Sequence, residues 1–297
     1  MTCNVRTLLV PLFTFACLLS ARADDRSIAE ALRTAGATKI EQDKDGVVTT
    51  LFFQDSSKIT PEQWKLIGQL SGVKQVTFYH QCTLNDETLP LILGLATLES
   101  FTSDGAQLSD AAMAKMVAWK NLKKLTFFHT SNDKGMTFTG SGFAALAELP
   151  QLESFSMGGA KFNDEGLAAV AKLAHLKDLR VWHTRNTPAG NVQLESLHDL
   201  ISIYYSPDAL TAADAPAHLA KLPNLEKITL METRLTAAQL QPLAGLGHLK
   251  QLTLEKVEIS PSDLAAVKAA MPKVEVKWTE PDEKALSGIR RAFDAKK

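Results

Sequence analysis

Three stretches of this chain are versions of one 24-residue sentence: LESFTSDGAQLSDAAMAKMVAWKN from Leu98, LESFSMGGAKFNDEGLAAVAKLAH from Leu152 and LEKITLMETRLTAAQLQPLAGLGH from Leu225. A period of that length restricts the fold severely, because one such unit cannot bury its apolar surface alone and must stack on copies of itself. Each stretch opens with apolar residues at its first and fourth positions, and two of the three add the sixth. Extending the register gives starts at Val48, Val73, Leu98, Leu122, Leu152, Leu176, Leu200, Leu225, Leu249 and Lys273, spaced by 25, 25, 24, 30, 24, 24, 25, 24 and 24 residues. In Leu225-x-x-Ile228-x-Leu230 the fourth and sixth side chains turn inward, and the third, fifth and seventh outward, as a strand requires.

A helix start follows each strand. Thr60-Pro61-Glu62-Gln63 supplies an N-cap, a proline at the first helical position and a capping-box partner, and Ser109-Asp110, Asn163-Asp164-Glu165, Thr236 and Ser260-Pro261 stand at the same place in their repeats. An apolar stripe then recurs at every third residue, as in Trp64, Ile67 and Leu70, in Met113, Met116 and Trp119, and in Leu240, Leu243 and Leu246.

This pattern resembles the leucine-rich repeat, L-x-x-L-x-L followed by a turn and a helix, over about Val48 to Thr279. The implied fold class is α/β, a leucine-rich-repeat solenoid of about ten 24–25-residue repeats. Its parallel sheet would lie on the concave side and its helices on the convex side. The resemblance is nearest to exported bacterial repeat proteins, with a lead-in comparable to Gly36–Val47. A row of small residues after the strands, Ser57, Cys82, Ala106, Thr130, Ala160, Thr184, Thr233 and Val257, resembles the ribonuclease-inhibitor-like and cysteine-containing subtypes. Cys82 is expected to be a buried packing residue of that row. Asn191 and Pro188 predict a looser or shortened helix in the sixth repeat.

The two flanks differ from the repeats. Arg6, the 12-residue apolar run Leu8–Leu19 and the small-x-small sequence Ala21-Arg22-Ala23 read as a signal peptide over residues 1–23. That run is short of the ~20 residues of a membrane-spanning helix, and no later stretch is longer, so no membrane span is expected. Residues 24–47 read as an N-terminal capping helix and lead-in, 48–279 as the repeat domain, and 280–297 as a C-terminal capping helix carrying Leu286, Ile289 and Phe293. Cleavage near Ala23 would make the protein exported, to the periplasm or the extracellular space. It would also remove Cys3 and Cys17, leaving Cys82 without a disulfide partner. With 32 Lys+Arg against 33 Asp+Glu and a formal charge of −1, there is no basic block for a nucleic-acid backbone.

The candidate binding surface is the outward seventh column: Gln54, Tyr79, Asp104, Phe128, Gly158, Trp182, Ser206, Met231, Glu255 and Thr279. Aromatics standing on a sheet face either pack along the sheet or await a partner. Tyr79, Phe128 and Trp182 are each followed by histidine, giving Tyr79-His80, Phe128-His129 and Trp182-His183 in the second, fourth and sixth repeats. Two strand steps separate successive pairs by roughly 10 Å, too far for one metal ion, whose nitrogens must come within about 2.1 Å. The histidines are expected to be solvated or bonded to the next turn, and His80, His129 and His183 join Tyr79, Asp104, Phe128, Arg180, Trp182 and Tyr204 as candidate partner contacts. Tyr204 and Arg180 extend the patch, with Lys124 and Asp178 as polar neighbours. The spacing of 30 residues places a six-residue insertion at Asn132–Thr137, directly after Phe128-His129.

No nucleophile elbow, H-E-x-x-H, phosphate-cradling glycine loop or paired-cysteine spacing is present in the sequence. The expected function is therefore a binding module for a protein or a glycan. A self-associating envelope protein is the second reading, and a hydrolase built on the edge histidines the third. No enzyme activity, cofactor or metal is expected.

Overall fold

The computed structural model describes residues 25–130 and 138–294. The leader at residues 1–23 and the insertion at 132–137 lie outside the described residues. Eleven strands form one sheet in strict sequence order: β1 (Lys39–Gln42), β2 (Val48–Phe53), β3 (Gln75–Phe78), β4 (Ser100–Asp104), β5 (Lys124–Phe128), β6 (Ser154–Gly158), β7 (Asp178–Trp182), β8 (Ser202–Ser206), β9 (Lys227–Met231), β10 (Gln251–Glu255) and β11 (Glu275–Trp278). From β2 onward every pairing is parallel. The third positions of all ten repeats, Thr50, Gln75, Ser100, Lys124, Ser154, Asp178, Ser202, Lys227, Gln251 and Glu275, are successive Cα partners. The sequence period is thus the ladder register, across the 30-residue repeat as well.

The inward fourth and sixth positions build the core, in which Phe53, Phe78, Phe101 and Phe127 follow one another at ring separations of 5.4–6.1 Å. The convex side alternates α-helix with tighter 3-10 turns. Its α-helices are α2 (Pro61–Gln69), α3 (Asp110–Ala114), α4 (Asp164–Val170), α5 (Ala209–Leu219), α6 (Ala237–Leu240) and α7 (Pro261–Ala270). Leu89–Leu91, Lys115–Ala118, Ser141–Glu148, Pro188–Ser196 and Gln241–Gly245 are 3-10. A 3-10 turn rises about 2.0 Å per residue against 1.5 Å, so fewer residues cross the layer where it replaces an α-helix. In the sixth repeat Asn191 accepts the buried Tyr205 hydroxyl at 2.6 Å and donates to the Thr211 carbonyl at 2.9 Å, which is why a polar residue sits where leucine is usual.

In three repeats a carboxylate ties one turn to the next. Asp86 accepts from Ser109, Asp110 from the backbone of Thr139 and Gly140, and Asp164 from Thr187, all with N–H to O distances of 2.8–2.9 Å. Each satisfies donors at the start of the following convex segment, which its own turn leaves unpaired. The small row is buried from Cys82 onward, but in the first repeat the buried residue is Ser56 and not Ser57: the Ser56 N–H, like that of Cys82, donates to the seventh-position carbonyl of the next repeat, Tyr79 for Ser56 and Asp104 for Cys82. Burial pushes the Cys82 thiol pKa up, in keeping with a packing role.

At the N-terminal end, residues 25–34 form α1, whose Ile28, Ala29 and Leu32 are buried against the first repeat. The buried Asp25 carboxylate accepts the Val48 N–H at 2.8 Å. The lead-in adds an unforeseen strand, since β1 pairs antiparallel with β2. At the other end α8 (Glu283–Asp294) does not cover β11 but folds back against α5. It is held there by Lys256 to Asp282 at 2.9 Å, by Arg234 to Asp294 at 3.5 Å and by the Arg234 guanidinium 5.0 Å over the Phe293 ring. No helix among the described residues is long and apolar enough to cross a membrane.

Candidate functional site

The seventh column places its aromatic residues on alternate strands, yet their rings touch. Tyr79 and Phe128 lie 6.4 Å apart and nearly parallel, Phe128 and Trp182 5.5 Å apart, and Trp182 and Tyr204 5.9 Å apart edge to face. Strands two apart are about 9.6 Å distant, so the rings lean together over the residues between them. Short side chains make this feasible. At Gly158 an added Cβ would stand 2.2 Å from the Trp182 indole, and Asp104 turns its carboxylate aside to the edge.

The ladder runs further than the seventh column indicates. Phe52, at the fifth position of the first repeat, meets Tyr79 edge to face at 5.6 Å. Its fifth position is outward by strand alternation, like those of Arg180 and Tyr204. At the other end Tyr204 donates its hydroxyl to the Met231 sulfur. Arg180 lies with its guanidinium carbon 5.0 Å from the Tyr204 centroid and 5.9 Å from that of Trp182, a cation–π arrangement on the sheet face. Burial and the nearby Glu255 push the Tyr204 pKa up to about 12, against the opposing pull of Arg180. The rings of Tyr79, Phe128, Trp182 and Tyr204 are half-buried, while Arg180 is exposed. The strip is at once packed along itself and open to solvent.

The histidines occupy a second row beside this strip. His80, His129 and His183 have φ of 54°, 48° and 50°, and Glu232 and Lys256 take the same left-handed conformation later in the row, as do Gly105 and Gly159. His129 donates from Nδ1 to Asp104 at 2.8 Å, and His183 from Nε2 to Glu232 at 3.0 Å. The structure brings His80, Asp104 and His129 together around a groove of about 520 Å³, also lined by Gln81 and Gln107. His183 stands apart from them, in a separate groove of about 400 Å³ with Glu232, Lys256 and α8. Lys124 and Asp178 sit in the third column, away from the rings, where Asp178 accepts from the Ser154 hydroxyl at 3.1 Å. No cluster of three or more His, Cys, Asp or Glu among the described residues is arranged to hold a metal ion.

The alternation extends to a column that sequence reading passed over. The second positions read Lys74, Glu99, Lys123, Glu153 and Lys177 along the second to sixth repeats, with Lys123 on Glu99 and Lys177 on Glu153, each at 2.7 Å. Repeats with an aromatic-His pair carry lysine. Those between them carry glutamate, a short seventh residue and glycine.

No family model matches the chain, and no curated protein matches it. Among solved structures it is similar to the crystal structure of a TLR13–ssRNA13 complex, with a TM-score of 0.54 and 15% identity over 82% of this chain and 35% of that one. The fold is a leucine-rich-repeat solenoid. The solenoid thus spans about a third of the TLR13 chain. Two internalins of Listeria monocytogenes also align: InlF at a TM-score of 0.46 and 13% identity, covering 90% of this chain and 93% of its own, and InlC2 at 0.38 and 17%, covering 78% and 80%.

Proposed function

We propose that this solenoid is an exported binding module that recognises a protein partner on its concave sheet. The observation that carries the reading is the half-exposed ring strip from Phe52 through Tyr79, Phe128 and Trp182 to Tyr204, with Arg180 beside it. Aromatic and arginine side chains presented on a rigid surface supply large contact area at little entropic cost, and they dominate binding hot spots. Asp104, His80, His129 and His183 along the adjoining row supply polar contacts that set orientation. The export half of the reading rests on the leader-like sequence of residues 1–23. The single-stranded RNA named for TLR13 is not carried over, because a net charge of −1 and the mixed charges of this sheet offer no phosphate-binding surface.

The test is capture from envelope extract by immobilised protein, with the captured partner then titrated against variants. Trp182→Ala and Tyr79→Ala, with thermal melts showing that both remain folded, should each weaken binding by at least about tenfold, the scale of a hot-spot residue. A partner that binds both variants as tightly as the parent would refute the reading.

A further inference from the structure

We propose that β11 is a self-complementary edge through which two copies of this chain join end to end, continuing the sheet across a two-fold axis at Val276. The edge is open because α8, the element that follows it, folds back onto α5, so β11 forms a ladder with β10 alone among the described residues. The Glu275 and Thr279 N–H groups donate toward β10, to the Lys250 and Leu254 carbonyls at 2.8 and 3.0 Å. By the alternation of a strand, the backbone groups of Val274, Val276 and Trp278 therefore face the open side. The Val274 N–H is already used, donating to Met271. Among the described residues the Val276 and Trp278 N–H groups and the Val274 and Val276 carbonyls have no backbone partner.

Most strands would be turned away from this edge. It is four residues long and bears charge, the usual protection against unwanted pairing. The sequence Val274-Glu275-Val276-Lys277-Trp278 is the exception to its own protection, because its charges are symmetric about Val276. Antiparallel pairing centred there sets Val276 against Val276, Glu275 against the second copy's lysine at 277, and Val274 against its tryptophan at 278. Glu275 and Lys277, 3.2 Å apart within one strand, would exchange partners across the axis. Four backbone hydrogen bonds would form: two between the Val276 residues, and two from the Trp278 N–H groups to the Val274 carbonyls. Val274, Val276 and Trp278 share the inner face, and Trp278, 37% exposed, is among the most exposed large apolar side chains described. Its ring N–H is anchored to the Val257 carbonyl at 2.8 Å, which leaves the indole fixed for a partner to cover.

Sedimentation velocity on the full chain over a wide concentration range tests this. The parent should show a reversible monomer–dimer equilibrium. Glu275→Lys and Lys277→Glu, each of which sets like charges opposite one another twice, should weaken it by about tenfold or more. The double variant Glu275→Lys/Lys277→Glu should restore the dimer, and the two single variants mixed should form a heterodimer. Val276→Pro should abolish association while the chain stays folded, since the N–H it removes faces the open edge. A parent that stays monomeric overturns the proposal, as does a dimer indifferent to the single reversals, or a folded double variant that fails to re-form it. A dimer lost instead with Trp182→Ala would place self-association on the ring strip.

Discussion

Gly158 occupies the spot where the Trp182 indole must cross to reach Phe128, and a methyl group there would lie 2.2–2.7 Å from three of its ring atoms. Gly158→Ala should lift the indole off its neighbour, destabilise the fold by about 1–3 kcal/mol as overpacking does, and shift Trp emission. An unchanged melt and spectrum would show that the ladder does not depend on this gap. Tyr204 makes a second prediction. Its phenol is held neutral to about pH 12 by burial and by Glu255, whereas an unfolded tyrosine ionises near pH 10. Below about pH 10 its contribution to stability is fully present, and from about pH 10 to 12 the unfolded state releases its proton first, so that contribution is lost as pH rises. The melting temperature should fall through that window, and Tyr204→Phe should flatten the fall. The left-handed row is a residue-scale feature that sequence alone did not show. Gly105 and Gly159 fit it at no steric cost, but histidine, glutamate and lysine each pay roughly 1 kcal/mol to stand there. Keeping side chains in such a position points to a use for them.

At the scale of elements, strands were legible and the convex layer less so. Strand register followed from apolar positions, which only one alignment of the sheet can bury. The N-caps at Thr60, Ser109, Asn163, Thr236 and Ser260 all accept backbone N–H groups as their residue types imply. Helix type was not legible, because a 3-10 turn and an α-turn bury nearly the same stripe and differ only in how far a few residues must reach. Partners across repeats were equally hidden: Asp110 reads as an ordinary first-turn acid, yet it accepts the Thr139 and Gly140 N–H groups 29 and 30 residues onward. Asp110→Ala should cost roughly 1–3 kcal/mol in denaturant unfolding, since those donors lose their acceptor in a part-buried place. A loss below a few tenths would mean that solvent replaces the carboxylate.

For the whole molecule, the columns of the sheet were predictable and the contacts along them were not. Tyr79, Phe128 and Trp182 face outward as strand alternation implies, but alternation leaves open whether such rings pack along the sheet or stand apart. Their joining depends on Asp104 and Gly158 being short, residues that stand on the strands between them, about a repeat away in sequence. The same limit applied to α8, whose amphipathic pattern gives a buried face without saying which surface it meets. In the second to sixth repeats, lysine with an aromatic-His pair alternates with glutamate, a short residue and glycine. One strand-turn unit is therefore not the quantum in which this array can change its length. Removing residues 98–121 would bring Lys74 against Lys123 and set two large rings on adjacent strands, whereas removing 98–151 would leave Lys74 facing Glu153 and Tyr79 beside the gap at Gly158. The shorter excision should melt lower than the longer one despite retaining more chain. From the second to the sixth repeat this array counts in twos, so an even step keeps its charge and ring alternation and an odd one breaks it.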